Sequence, residues 1–150
     1  MSFMSSMNVS ASGMSAQQLR MDLISQNIAN ANTTRDENGE VYRRKTVVFS
    51  EKQDTFSNAL VTATSGSRTK STTGNGVKVT SIVEDHVTAM NQVYDPSHPD
   101  ADEDGYVTYS NVNTVTEMTN LIDASRSYEA NVTAFNATKN MLLKGLEVGK

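Results

Sequence analysis

The strongest constraint on this chain is a seven-residue apolar repeat between residues 7 and 34. Four residues carry it: Met7, Met14, Met21 and Ile28. This spacing is typical of a helix that packs along another helix. A second apolar line on the opposite side of the same helix contains Val9, Ala16, Leu19 and Leu23. Because a surface helix of a globular protein normally has one apolar stripe, two lines predict neighbours on two sides.

The C-terminal part of the sequence has a matching repeat, which predicts a second long helix from Thr114 to Glu147. Its seam positions alternate steps of three and four for about four heptads, and Ser125 and Lys139 interrupt the apolar line. The members of this seam are Met118, Leu121, Tyr128, Val132, Phe135, Leu142 and Leu146. A second edge of mostly small side chains contains Ala130, Ala134, Ala137 and Met141. Thr114 and Glu117 have the spacing of a capping box, which marks a helix start.

The first helix is expected to span residues 1 to about 31, because Asn and Thr dominate the next positions and terminate helices. Asn27 and Asn30 lie about one turn apart on this helix. We interpret their amides as groups for caps and interhelical hydrogen bonds. A ligand-binding pair is the alternative.

Between the helices, β-branched and aromatic residues predict three strands, at residues 42–49, 77–83 and 87–94. Asn38-Gly39 predicts a tight turn, and residues 65–76, which contain no large apolar side chain, predict a mobile loop. The predicted fold class is α+β: two long terminal α-helices packed as a coiled-coil-like pair, with a small β-rich domain inserted between them. The predicted domains are residues 1–34, 35–110 and 111–150.

A short basic run, Arg43 to Lys45, begins the first predicted strand. We interpret it as a solvated strand edge, because charged side chains guard exposed edges against unwanted pairing. Contact with an anionic partner is the alternative.

The segment from Asp100 to Asp104, followed by Gly105, matches the first half of a calcium-binding loop. Such a loop closes with a bidentate Glu at its twelfth position, where this chain has Asn111. Pro96 and Pro99 also exclude a helix entering the loop. We therefore interpret the segment as a rigid acidic connector, with a calcium-responsive binding module as the alternative.

Composition and charge argue against several classes of protein. The net charge of -4 and the pI of about 5.1 argue against nucleic acid as a partner. Cysteine is absent, and the two histidines, His86 and His98, lack metal-ligand spacing. No apolar run approaches the roughly 20 residues that span a bilayer, and the N-terminus lacks the pattern of a secretory signal. We expect no catalytic site, cofactor, metal or direct membrane insertion.

Several segments are similar to a known protein family. The N-terminal motif of bacterial flagellar axial proteins resembles SGMSAQQLRMDLISQNIANANTT, centred on residues 27–33. Three further segments resemble the flagellar basal-body rod protein family, and within it the proximal rod component: TTRDENGEVYRRKTVVF, VYDPSHPDADEDGYV and NVNTVTEMTNLIDASRSYEANVTAFNATKNM. The resemblance covers nearly the whole chain and is weakest at residues 53–76. Ser110 departs from the family, which commonly has Pro before Asn-Val-Asn.

The resemblance implies a structural subunit of the proximal rod of the bacterial flagellar basal body, which polymerises through its terminal helices and transmits torque from motor to hook. The implied partners are other copies of the chain, related rod proteins, the membrane-ring or rod-base adaptor and the flagellar export apparatus. The implied location is the rod, outside the cytoplasmic membrane, reached through type III export without a cleaved signal peptide. A soluble coiled-coil adaptor is the alternative.

The resemblance also suggests how the apolar lines are used. We expect the line that starts at Met7 to meet Leu121, Tyr128, Phe135 and Leu142 within one subunit. The lines that start at Val9 and at Ala130 are then expected to meet neighbouring subunits.

The limited apolar content predicts that the terminal helices are partly disordered in the isolated chain. Burial of one seam yields about 1.5–3 kcal/mol per side chain, whereas fixing the backbone costs about 1–2 kcal/mol per residue. Ordering should therefore accompany assembly. Circular dichroism of a dilute monomer should show less helix than the assembled protein, and full helicity in the monomer would contradict this prediction.

Overall fold

The computed structural model describes residues 3–35, 39–52, 60, 64 and 75–148. In chain order the helices and strands are α1 (Phe3–Ala29), β1 (Lys45–Glu51), β2 (Val77–Glu84), β3 (Asn91–Tyr94), β4 (Tyr106–Tyr109) and α2 (Thr114–Val148). The two long helices pack together, and β1 with β2 and β3 with β4 form small two-stranded sheets between them. The predicted α+β fold class is confirmed, as are both terminal helices.

Helix α1 ends where the sequence predicts. Its last residue is Ala29, and the Asn30 side chain donates from Nδ2 to the Gln26 carbonyl oxygen at 2.9 Å. The Thr33 amide then donates to the Asn30 carbonyl oxygen at 3.1 Å. The second of these bonds satisfies a carbonyl oxygen that the helix end leaves without an intrahelical partner.

Helix α2 begins at Thr114 as predicted, but the predicted capping box is wrong. Asn113 is the cap, because its Oδ1 atom accepts hydrogen bonds from the amides of Val115 at 3.1 Å and Thr116 at 3.2 Å. Asn is among the best N-cap residues. The side chain of Glu117 is thereby free for a different role, and it turns into the protein interior.

The first two predicted strands are found, and the third is found only in its second half. The predicted strand at 77–83 is β2, and the strand predicted at 42–49 begins later, at Lys45. The strand predicted at 87–94 is shortened to β3, because Asp85 Oδ1 accepts hydrogen bonds from the amides of Val87 and Thr88 at 2.9 and 3.0 Å. This side chain forms a turn in place of the first half of the strand.

Strand β4 was not predicted, and it changes the interpretation of the acidic connector. It pairs antiparallel with β3, with Asn91 opposite Tyr109 and Tyr94 opposite Tyr106. The acidic segment is therefore the loop of a β-hairpin. Gly105, with φ of +80°, adopts the left-handed conformation that the end of this loop requires.

The chain divides into two compact units, and both terminal helices contribute to each. The first comprises Met1–Gln18, Phe49–Thr80 and Arg126–Lys150, in their described parts. Within it α1 and α2 approach closely at Gly13, where a Cβ atom would lie 2.8 Å from Asn131 Oδ1. A glycine that lowers helix propensity thus makes room for the neighbouring side chain.

The second unit comprises Leu19–Val48 and Ser81–Ser125. It contains every described apolar residue of the buried class except Ala16, and also the buried polar residues Asn27, Ser110 and Glu117. Its interior is therefore small and unusually polar, and the buried polar groups need partners.

Parts of two predictions lie outside the described residues. These are Asn38 of the predicted tight turn and residues 65–74 of the predicted mobile loop. Gly39 has φ of +83°, as a tight turn requires.

Ser110 generates a prediction about stability. Only 3% of this residue is exposed, and its buried Oγ has no hydrogen-bond partner among the described residues. Because a buried unpaired hydroxyl is unfavourable, Ser110→Ala should raise the free energy of unfolding by about 1 kcal/mol. The melting temperature should rise by roughly 2–4 °C.

The matched control is Ser81→Ala, which truncates an exposed serine of β2. It should change stability by less than about 0.5 kcal/mol. A clear loss of stability in Ser110→Ala, with the control unchanged, would contradict the prediction.

Candidate assembly interface

The amide of Asn27 joins three separate parts of the second unit. Its Nδ2 atom donates to the Lys45 carbonyl oxygen at 2.9 Å and to Glu117 Oε2 at 3.0 Å. Its Oδ1 atom accepts from the Lys45 amide and the Tyr42 hydroxyl, both at 2.9 Å. The side chain is fully buried and uses its full hydrogen-bonding capacity. Its bond to Glu117 connects α1 to α2.

The buried carboxylate of Glu117 is neutralised by Arg44. The residue is 1% exposed, and its Oε1 atom lies 2.9 Å from Arg44 Nε and 2.8 Å from Arg44 Nη2. Asn120 Nδ2 donates to the same oxygen at 3.2 Å. Removal of one partner of such a pair costs about 3–5 kcal/mol, because the remaining charge is buried without compensation.

We call Asn27, Tyr42, Arg44 and Glu117 the polar clamp. Their bonds connect α1, the segment that leads into β1, and the first turn of α2. The interpretation of the basic run as a solvated strand edge is therefore wrong for Arg44, whose guanidinium contacts an anion inside the chain. Sequence periodicity could not reveal this pair, since a local pattern carries no information about partners that lie 73 positions apart.

Asn111 fixes the backbone on either side of the clamp. Its Oδ1 atom accepts a hydrogen bond from the Arg44 amide at 2.8 Å, and its Nδ2 atom donates to the carbonyl oxygens of Asp85 and Thr88 at 2.9 and 3.3 Å. The residue at the twelfth position of the calcium-like pattern thus has a structural role, and it holds the segment from which the Arg44 guanidinium projects.

The first carboxylate of the calcium-like pattern is also engaged within the chain. Asp100 Oδ2 accepts a hydrogen bond from Thr34 Oγ1 at 2.9 Å, and Arg35 Nη2 lies 3.4 Å from Asp100 Oδ1. Across the described ranges, no three His, Asp or Glu side chains are grouped so that they could hold a metal ion. The hairpin loop is thereby tied to the segment that follows α1.

The structure places the two apolar lines of α1 differently from the prediction. Met7, Met14, Met21 and Ile28 are half-buried, whereas Ala16 and Leu23 of the second line are buried within the chain. Leu19 is half-buried and Val9 exposed. The expectation that the second line faces neighbouring subunits is therefore wrong for Ala16 and Leu23. Asn30, the other amide singled out by the sequence, lies at the helix end.

The predicted seam of α2 is only partly turned inward. Five of its members are half-buried: Leu121, Tyr128, Val132, Phe135 and Leu142. Met118 and Leu146 are exposed. The buried positions of α2 are Glu117 and Ala124, which sequence reasoning did not assign to the seam.

The outward side of α2 presents large apolar side chains. At its start Val115, Met118 and Ile122 are 73%, 54% and 53% exposed. They lie three and four residues apart, so they share one face of the helix. The same helix exposes Met141, and Ala130, Ala134 and Ala137 of the small edge. An exposed apolar face of this kind is available for contact with another protein.

No helix within the described part of the chain combines the length and the apolar content that crossing a membrane requires.

Comparisons with known proteins agree over the whole chain. A family described as "Flagella basal body rod protein" matches residues 7–35, and one described as "Flagellar basal body rod FlgEFG protein C-terminal" matches residues 103–148. These two ranges contain Asn27 and Glu117, respectively, of the polar clamp.

Three relatives that align with the chain over nearly their whole length carry the same name. The chain is 52% identical to the flagellar basal-body rod protein FlgC of Bacillus subtilis (strain 168), with 97% of each chain covered. It is 39% identical to FlgC of Borreliella burgdorferi, with 99% of this chain and 98% of the relative covered. It is 37% identical to FlgC of Salmonella typhimurium, with 100% of each chain covered.

Tyr42 generates a prediction about alkaline stability. Burial first, then the charges of Glu84 and Glu117, raise the pKa of Tyr42 above its ordinary value of 10.0. The folded chain thus holds the phenolic proton more tightly than the unfolded chain does. This contribution to stability is complete below about pH 10 and is lost as the pH rises through the folded-state pKa.

The measurement is the melting temperature of the native chain and of Tyr42→Phe between about pH 8 and pH 11. The native chain should lose stability more steeply, because only it must release this proton. Parallel curves for the two chains would contradict the prediction, since all other titrating groups are shared.

Proposed function

Because this chain belongs to the family of the flagellar basal-body rod protein FlgC, and is a structural subunit of that rod and not an enzyme, we propose that it polymerises through the outward faces of its terminal helices. It is located in the basal-body rod and assembles with other rod subunits. The proposal concerns which surfaces make these contacts.

The observation that carries the proposal is the exposed apolar face at the start of α2. Val115, Met118 and Ile122 together offer a surface that a soluble monomer gains nothing by exposing. A subunit of a polymer gains stability from such a face only when a neighbour covers it. A neighbour that covered the exposed small edge and Met141, further along α2, would stabilise the subunit in the same way.

The half-buried line of α1 is the second proposed contact. Met7, Met14, Met21 and Ile28 lie on the side of α1 opposite the buried Ala16 and Leu23, and they keep part of their surface accessible. Methionine has a flexible and polarizable side chain, so it adapts to surfaces of different shape. That property suits contacts with both identical copies and related rod proteins.

The proposed partners are other copies of this chain, related rod proteins, the membrane-ring or rod-base adaptor, and the export apparatus during type III export. We propose that residues 1–34 and 111–150 make the contacts between subunits. The β-rich residues 35–110 are the segment inserted between them.

We infer that torque passes from motor to hook through the packed helices. The polar clamp supports this role, because four side chains fix α1, the β1 segment and α2 to one another by directional bonds. Directional hydrogen bonds and an ion pair resist sliding more than apolar contact does, since apolar contact has no preferred direction.

The test is the ability of variants to restore motility to cells that lack this chain. Ile122→Asp places a charge on the exposed face without disturbing a buried group, and it should abolish rod assembly and motility while export continues. Leu121→Asp, in the half-buried seam, should do the same.

Thr116→Asp is the matched control, since it adds the same charge at an exposed position in the same part of α2. It should leave motility intact. Normal motility with Ile122→Asp would show that this face makes no essential contact and would overturn the proposal.

A further inference from the structure

The inward apolar side chains of both long helices repeat at intervals of seven residues. They are Ala16 and Leu23 on α1, Ile24 on α1 with Ala31 just after it, and Leu121, Tyr128, Phe135 and Leu142 on α2. If α2 slid along α1 by one heptad, which is about 10 Å, apolar side chains would again meet apolar side chains. Because apolar contact has no preferred direction, hydrophobic burial alone discriminates poorly between these alignments.

Two contacts between the helices have a defined partner on each side. In the second unit, Asn27 Nδ2 donates to Glu117 Oε2 at 3.0 Å, and both residues are buried. In the first unit, α1 meets α2 at Gly13, where a Cβ atom would lie 2.8 Å from Asn131 Oδ1. Asn27 follows Gly13 by two heptads, and Asn131 follows Glu117 by two heptads. Each contact by itself therefore defines the same antiparallel alignment of the two helices.

The contact between Asn27 and Glu117 fixes the alignment through hydrogen bonding. A slide of one heptad would bring Ala124, which follows Glu117 by seven residues, level with Asn27. The methyl group of alanine offers no acceptor to the Asn27 amide, and the buried Glu117 carboxylate would lose a donor. A single buried asparagine is known to fix the register of a coiled coil in this way.

The contact between Gly13 and Asn131 fixes the same alignment through shape. Asn131 Nδ2 donates to the Ser127 carbonyl oxygen at 2.8 Å, so the side chain cannot swing away without losing this bond. Gly13 is the one glycine of α1 and leaves the space that this side chain needs. After a slide of one heptad, Asn131 would stand level with Arg20, whose long side chain leaves no such space.

We propose that these two register contacts, Asn27 with Glu117 and Gly13 with Asn131, select one alignment of α1 and α2 among those that the seven-residue repeats allow. The inference goes beyond the proposed function, because it concerns the pairing of two helices inside one chain. The alignment decides which residues of α1 stand level with which residues of α2. It therefore sets the composite surface that the helix pair offers to any neighbour.

The alignment can be measured as a distance between two nitroxide spin labels, because the chain contains no cysteine of its own. Ser15→Cys on α1 and Asn140→Cys on α2 place the labels at exposed positions. Pulsed electron paramagnetic resonance of the purified full-length chain, in trimethylamine N-oxide to favour the compact state, should give a single distance maximum.

Removal of both register contacts should allow the slide. Asn27→Leu together with Asn131→Ala leaves the apolar repeats intact, and position 27 would then pack well against Ala124. A second distance maximum, shorter by several ångström, should appear, since the slide brings position 140 towards the level of position 15. A single maximum at the native distance in this variant, or two maxima in the native chain, would overturn the proposal.

The matched control makes the same two substitutions at exposed asparagines of the same helices. Asn8→Leu lies on α1 and Asn136→Ala on α2. This chain should keep the single native maximum. A second maximum in the control would show that the substitutions act without the register contacts, and would equally overturn the proposal.

The Gly13 contact has a separate test that does not depend on the folding of the Asn27 variant. Alanine favours a helix over glycine, yet Gly13→Ala should lower the melting temperature by several degrees, because its Cβ atom meets Asn131. With Asn131→Ala already present, the same Gly13→Ala change should instead raise the melting temperature by roughly 2–4 °C.

Gly145→Ala is the matched control for this reversal of sign. Gly145 also lies within a long helix, but a Cβ atom there would meet nothing within 4 Å. It should raise the melting temperature whether Asn131 is present or replaced by alanine. A higher melting temperature for Gly13→Ala with Asn131 in place would overturn the Gly13–Asn131 register contact.

Discussion

The buried carboxylate of Glu117 is the group on which the second unit depends. A charge in a small protein interior is unfavourable unless it is paired and hydrogen-bonded, and Glu117 therefore requires both Arg44 and Asn27. Meeting that requirement brings together α1, the segment before β1 and the start of α2. The arrangement of these elements follows from the need to satisfy one side chain.

The β-rich part supports the same group from the other side. Asn111 bonds to the Arg44 amide and to the carbonyl oxygens after β2, so the segment that holds the guanidinium is itself held. The β3–β4 hairpin is tied to the end of α1 by Asp100. Asp100, the first acidic residue of the calcium-like pattern, thus has a structural function. It attaches the hairpin loop to the segment that follows α1.

The polar interior is consistent with a subunit whose stability is completed by its neighbours. In a monomeric protein of this length, the large apolar side chains at the start of α2 would be expected inside. We propose that in the rod these side chains contact neighbouring subunits. Membership of the FlgC family explains why such an arrangement is useful, since the rod is built from many subunits.

The sequence alone determined the two helices, their ends and the first two strands, because helix periodicity, terminating asparagines and β-branched runs are local properties. It did not reveal β4 or the Asn113 cap, and it misassigned the α1 line that contains Ala16 and Leu23. Only the tertiary structure decided which face of each helix turns inward. The physical reason is that both helices have two usable apolar lines, so local hydrophobicity leaves the choice open. In the structure the side of α2 that carries Glu117 and Ala124 turns inward, and Glu117 bonds to Asn27, 90 positions away.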